Sequence, residues 1–209
     1  MVIIINKMPK VVNHDARRVK IALAAAEAIA EVGVDRVKMT DLAAAAGCTV
    51  GALPHYFKGG KDEILIAALR EVHTTIRTRA TQVAIDTRFD PLAVWMSVLP
   101  STPAQRKEWL VWIAFSGRGP FNEVLGEELK ARHERGTEDT ISILRSMQAV
   151  GELPNDLDLR DAAETITALV DGIGMRATLS PKDWPPEKMR AQLLQQLERM
   201  GYQRGTRHG

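Results

Sequence analysis

Residues 40–61, TDLAAAAGCTVGALPHYFKGGK, decide how this chain is read. Leu42, Ala43 and Ala46 can pack inward from a short helix, Gly47-Cys48 makes a tight turn, and Thr49 to Phe57 forms a second short helix. A basic Gly-Gly-Lys break follows it. Two short helices joined by a turn of three or four residues containing Gly form a helix-turn-helix, whose second helix can enter a DNA major groove. The residue types fit that use. Leu53 and Phe57 read as core, while Thr49, Val50, Gly51, Ala52 and His55 leave a small, mostly uncharged surface for base edges. The run of Ala lets two helices of so small a unit approach closely.

Outward from this unit the pattern stays helical. Val19, Leu23, Ala26, Ile29 and Ala30 recur at three- and four-residue steps, predicting an amphipathic helix from about Asp15 to Val32 that Gly33 closes. Ile64, Leu65, Ala68, Leu69, Val72, Ile76 and Val83 predict a long helix from Asp62 to about Thr87, with Asp62 and Glu63 suited to its positive N-terminal end. Further helices are expected over 92–99, 104–115 and 122–150, then from an Asp158 cap to Leu179, and from Pro186 to about Met200. No segment shows sustained strand alternation. The fold class is all-α: a three-helix helix-turn-helix unit with its tail over residues 1–61, and a helical body over residues 62–209.

Composition narrows the function. A chain of 209 residues with 45% hydrophobic content can bury a full core. No apolar run approaches the roughly 20 residues of a membrane-spanning helix, and Val2 to Ile5 is too short for a secretory core. A lone Cys48 excludes an intramolecular disulfide and reads as a packing residue. These features predict a cytoplasmic protein with no membrane partner. The net charge of +2 hides an asymmetry: residues 1–61 carry nine Lys/Arg against five acids, or +4, and the remainder nineteen against twenty-one, or −2. A basic front on a slightly acidic body suits an anionic partner held by the first third.

The set Gly33, Leu42-Ala43, Ala46-Gly47, Leu53, Tyr56-Phe57, Lys61 and Ile64-Leu65 resembles the DNA-binding part of the tetracycline-repressor (TetR) family of bacterial transcription factors. Three departures stand out. Pro54 occupies a position where that family usually has Tyr, Lys38 falls where it has a hydroxyl cap (so Thr40 is expected to cap instead), and Lys58-Gly59-Gly60 adds a residue before Lys61. From Trp109 to Met200 the chain resembles, more loosely, the choline-responsive BetI type, through WLVWIAF, the Gly151 turn and LVDGIGMRATLSP.

The resemblance implies a ligand-responsive regulator, most simply a repressor, that binds a palindromic operator in double-stranded DNA as a homodimer through its last two long helices. Thr49 and His55 would bond base edges, Val50 and Ala52 would touch thymine methyls, and Gly51 would permit close approach, with Pro54 on the same helix. Thr40, Tyr56 and Lys61 would hold phosphates, with Arg17, Arg18 and Lys20 adding to them. With no Arg or Lys between Thr49 and Phe57, bidentate guanine contacts are not expected and A·T-containing half-sites are. A small-molecule pocket is expected among Trp95, Trp109, Trp112, Phe115, Met147 and Met175, where several aromatic faces would favour a cationic or flat apolar ligand, with Glu108, Glu123 and Asp171 as possible counter-charges. Mid-helix Gly172 and Gly174 would mark a close helix–helix approach at the dimer interface.

Two rivals remain. A helical dimer with a degenerate DNA reader would draw on Pro54 and on the missing cations of the second helix. An enzyme has little support: no histidine pair has zinc-helix spacing, and Gly59-Gly60-Lys61-Asp62 fails the phosphate-loop pattern. No catalytic, metal or cofactor site is expected.

Overall fold

The computed structural model describes residues 14–203, so the Val2–Ile5 patch, Lys7, Lys10 and His208 lie outside the described residues. The described residues form nine α-helices and no strand. They are α1 (His14–Val32), α2 (Met39–Ala46), α3 (Leu53–Tyr56), α4 (Gly60–Asp86), α5 (Pro91–Val98), α6 (Pro103–Ser116), α7 (Glu123–Ala149), α8 (Leu159–Leu179) and α9 (Pro186–Arg199). Helix α1 packs against both α2 and the first half of α4, α4 runs on to α5, and α7 pairs with α8. No helix is long and apolar enough to cross a membrane.

The buried face of α1 is Ile21, Ala22, Ala25, Ala26 and Ile29. Val19 and Leu23, expected inside, are 39% and 43% exposed. The small Ala positions face the core instead, because α2 and α4 press closely on that side. In α4 the expected stripe holds: Ile64, Leu65, Ala68, Leu69 and Val72 are buried.

Local chemistry explains the helix ends. Gly47 takes a left-handed backbone (φ 64°, ψ 46°), and the amides of Gly47 and Cys48 return to the carbonyls of Ala44 and Ala43 at 3.0 and 2.9 Å. A residue with a Cβ is costly in that conformation, so glycine sets the turn between α2 and α3. Thr40 does not cap α2. The Lys38 amide donates to the Asp41 carboxylate at 2.9 Å, so an acid three residues in holds the start of the helix by reaching back to the first amide, the reciprocal of a hydroxyl cap. Asp158 caps α8 as expected, accepting from the amides of Arg160 and Asp161. The extra residue before Lys61 is absorbed by Gly60 at φ +67°, whose amide bonds the Phe57 carbonyl at 3.1 Å.

The two mid-helix glycines of α8 part company. A Cβ on Gly174 would lie 2.0 Å from the Trp109 ring, so Gly174 serves the inside of the protomer, where α6 presses its indole on α8. A Cβ on Gly172 would meet nothing within 4 Å, and this position faces outward.

Candidate nucleic-acid interface and effector cavity

The second helix of the helix-turn-helix has two parts: a 3-10 turn over Val50–Ala52, with Thr49 as its N-cap position, and then α3. Pro54 accounts for the break. Its nitrogen has no hydrogen to give the Val50 carbonyl, and its ring crowds that carbonyl, so the first turn tightens to the 3-10 bond from Leu53 to Val50. Leu53 and Phe57 are fully buried and anchor the segment. Thr40, Thr49, Val50, Gly51, Pro54 and His55 are exposed; Ala52, Tyr56 and Lys61 are half-buried. All nine therefore lie on the α2–α3 unit or the first turn of α4.

Two N-terminal arginines work differently from the loose phosphate contacts expected of them. Arg18 donates to the Tyr56 carbonyl and to Glu63 at 2.8 Å, and its guanidinium sits 4.3 Å from the centre of the Phe57 ring. Glu63 also accepts from the Gly59 amide at 2.8 Å, and these bonds, Arg18 first, hold its carboxyl below the usual range. Arg17 donates to the Gly47 carbonyl at 3.0 Å. His14 Nε2 donates to the His55 carbonyl at 3.0 Å, and its ring lies 5.0 Å from that of Tyr56. Helix α1 thus clamps both ends of the reader through backbone carbonyls, leaving the exposed side chains free to meet a groove.

The body holds a cavity of about 180 Å³ between α4, α5, α7 and α8. Ile76, Ala80, Val94, Trp95, Val98, Ile143 and Val170 give it an apolar wall. His73, Arg77, Arg132, His133, Arg135, Asp139 and Asp171 supply its polar groups. Trp112 organises them: Arg132 lies over its ring at 3.6 Å, His133 meets it edge-on at 5.2 Å, and His73 is 6.0 Å away. Burial, then the positive fields of Arg132, Arg135 and His133, push the His73 pKa down to about 2, so its ring is neutral. Burial also brings Arg132 down to about 10 against the pull of Asp171; it remains charged.

Of the residues expected to line a pocket, Trp95 does so and Trp112 stands behind the polar cluster. Trp109, Phe115 and Met147 are buried away from the cavity as packing. The Trp109 indole donates to the Val98 carbonyl at 2.8 Å. Met175 is 40% exposed on the outer side of α8. Aromatic and thioether side chains at helical spacing are core by default, and that default accounts for Trp109, Phe115 and Met147. Of the expected counter-charges, Glu108 is taken by Arg79 at 2.6 and 2.8 Å, Glu123 is exposed at the start of α7, and Asp171 alone lines the cavity. The cationic and histidine lining was missed. One signal was available: His73 interrupts the stripe Leu69, Ile76, Ala80 on α4, and a polar residue on an apolar helical face marks a cavity or a partner.

Comparison with known proteins agrees with both halves. The family model for bacterial regulatory proteins of the tetR family matches residues 21–68, and that for the C-terminal part of BetI-type transcriptional repressors matches residues 92–201. The chain is 26% identical over 194 residues to the transcriptional regulator PksA of Bacillus subtilis (strain 168), covering 91% of this chain and 93% of that one. It superposes on a TetR-family regulator from Rhodococcus sp. with a TM-score of 0.76 at 27% identity, covering 89% and 98% of the two chains. A transcriptional regulator from Saccharomonospora viridis, solved in complex with choline, shares the fold at TM-score 0.72 and 23% identity, with 88% and 96% covered. The chain belongs to the tetR family of bacterial regulatory proteins, and it is a ligand-responsive, DNA-binding transcriptional regulator rather than an enzyme.

Proposed function

We propose that this regulator is a cytoplasmic repressor that binds a palindromic operator as a homodimer and leaves it when a small molecule fills the α4–α8 cavity. The observation that carries the reading is that one unbroken helix, α4, serves both sites. Its first turn carries Lys61 and Glu63 beside the reader, and its residues 73–80 line the cavity roughly 15–26 Å further along at 1.5 Å per residue. A ligand that favours one tilt of α4 therefore shifts the spacing of two readers, which must stand about 34–36 Å apart to meet successive major grooves. We take residues 1–61 as the DNA-binding unit and 62–209 as the effector and dimer unit. Helices α8 and α9 are the proposed dimer faces, with Thr165, Ala168, Gly172, Met175 and Leu179 forming an outward stripe of small and apolar residues on α8.

Within the reader, Thr49, Val50, Gly51, Ala52, Pro54 and His55 face the bases, and Thr40, Tyr56 and Lys61 face phosphates. The test is a binding titration against DNA from upstream of the gene, at two salt concentrations, with random DNA as control. Selective, salt-sensitive binding is expected. Lys61→Ala should weaken binding to every sequence and flatten the salt slope by about one unit. His55→Ala should relax sequence preference. If both variants bind as the unaltered protein does, the reader is misplaced. Binding no tighter to any DNA from the locus than to random DNA would favour the degenerate-reader dimer.

A further inference from the structure

The charges around the cavity are paired unequally. Arg77 meets Asp139 at 3.1 Å, Arg135 meets Glu128 at 3.9 Å, and His133 meets Asp171 at 3.4 Å. Among the described residues Arg132 forms no ion pair within 4 Å, although Asp171 acts on it from further off. Two neighbouring groups are also unsatisfied: both ring nitrogens of His73 and the indole N–H of Trp95 are buried with no hydrogen-bond partner. An indole N–H and a guanidinium only donate, and a neutral imidazole offers one donor. Among these unpartnered groups donors outnumber the one imidazole acceptor, and a buried donor left without an acceptor is costly.

The same inventory argues against a cation. A quaternary ammonium gains from aromatic faces and unpaired carboxylates. Here the Trp112 face is already covered by Arg132, Trp95 stands in the lining with no second Phe, Tyr or Trp among the described residues to complete a cage, and both cavity carboxylates have basic neighbours. Size sets a second limit. An apolar cavity of about 150 Å³ takes up benzene, so about 180 Å³ admits one ring or a short chain with a compact head group. An open groove on the protein's surface shares Arg77, Arg135 and the neutral His73 with the cavity and adds Arg70 against one acid, Glu128, so its cations outnumber its carboxylates.

We propose that the effector is a small lipophilic acid, about one aromatic ring or a six-carbon chain in size, whose carboxylate takes up the free donors of Arg132, His73 and Trp95. The proposal rests on reading this cavity as the effector site.

The test is calorimetric titration of the full-length protein, into the millimolar range, with phenylacetate and hexanoate, their uncharged amides, and choline. At least one acid should bind tenfold or more tighter than its amide, with no saturable binding of choline. Arg132→Gln should abolish the preference for acid over amide, and Arg132→Lys should retain part of it. The acid–amide comparison on the unaltered protein decides the matter even if a variant fails to fold. Equal binding of acid and amide, saturable binding of choline, or no saturation by any of the five compounds would overturn it. The DNA titration, run on the same preparation without any of them, separates the two ideas. Acid binding without selective DNA binding would leave this site standing and remove the repressor.

Discussion

Arg18 and Arg132 are the same side chain put to opposite uses. Arg18 has a partner on every side, and its ion pair with the half-exposed Glu63 contributes no more than about 1 kcal/mol after solvent screening. Its value lies in position, since it fixes the Tyr56 carbonyl at the end of the reader. Arg18→Ala should therefore weaken operator binding several-fold while leaving the salt slope unchanged, unlike loss of Lys61; a titration at several salt concentrations distinguishes them. His73 carries a different signature. Its folded pKa lies below the ordinary 6.5, so the unfolded chain takes up a proton as pH falls through 6.5 while the folded one does not. The stability it contributes is present above 6.5 and lost below it, at up to about 1.4 kcal/mol per pH unit. Among the described groups with a shifted pKa, Glu63 and Glu134 have their ordinary midpoint at 4.5, at the lower edge of the window from pH 6.5 to 4.5, so His73 dominates its upper part. His73→Leu should flatten the loss of stability in that window, measured by urea unfolding at stepped pH.

At the scale of the element, α8 shows how one residue type serves two surfaces. Gly174→Ala drives a methyl group into the Trp109 ring and should cost about 1–3 kcal/mol, read as a lower urea midpoint. Gly172→Ala meets open space within the protomer, where removing a mid-helix glycine gains up to about 1 kcal/mol. If α8 packs on its symmetry mate, that variant should instead shift the protein toward monomer on dilution, followed by sedimentation; an unchanged dimer would move the interface off this face. Much of this was legible in the sequence. The long helices fell within about three residues of their observed ends, because apolar periodicity, Pro starts and Gly stops all acted locally. Other features depended on neighbours in space. Which stripe of α1 faced inward was set by how closely α2 and α4 approach, and the cap of α2 came from Asp41 rather than a hydroxyl. The cavity was least legible, since Arg132, His133 and Arg135 look like an ordinary solvated run until α4 and α8 stand alongside to complete its wall.

Across the whole molecule, the two functions are joined by α4 and by ion pairs that cross from α1 and its following loop to the body. Glu27 meets Lys107 at 2.5 Å, and Asp35 meets Arg118. Exposed pairs of this kind add little stability, so Lys107→Ala should leave thermal unfolding almost unchanged. Coupling is reciprocal: the factor by which an effector weakens operator binding must equal the factor by which saturating operator weakens the effector, and paired titrations measure both. The continuity of α4 has a consequence for anyone building hybrid regulators. Exchanging effector units at the loop before Lys61 would graft foreign Ile64, Leu65, Ala68 and Leu69 equivalents against α1, whose inner face is shaped to these side chains. A splice placed after Val72, where α4 turns from packing on the DNA-binding unit to lining the cavity, would keep each half with the surface it was fitted to. Sensors made by recombination should work when cut in the middle of this helix and fail when cut at its start.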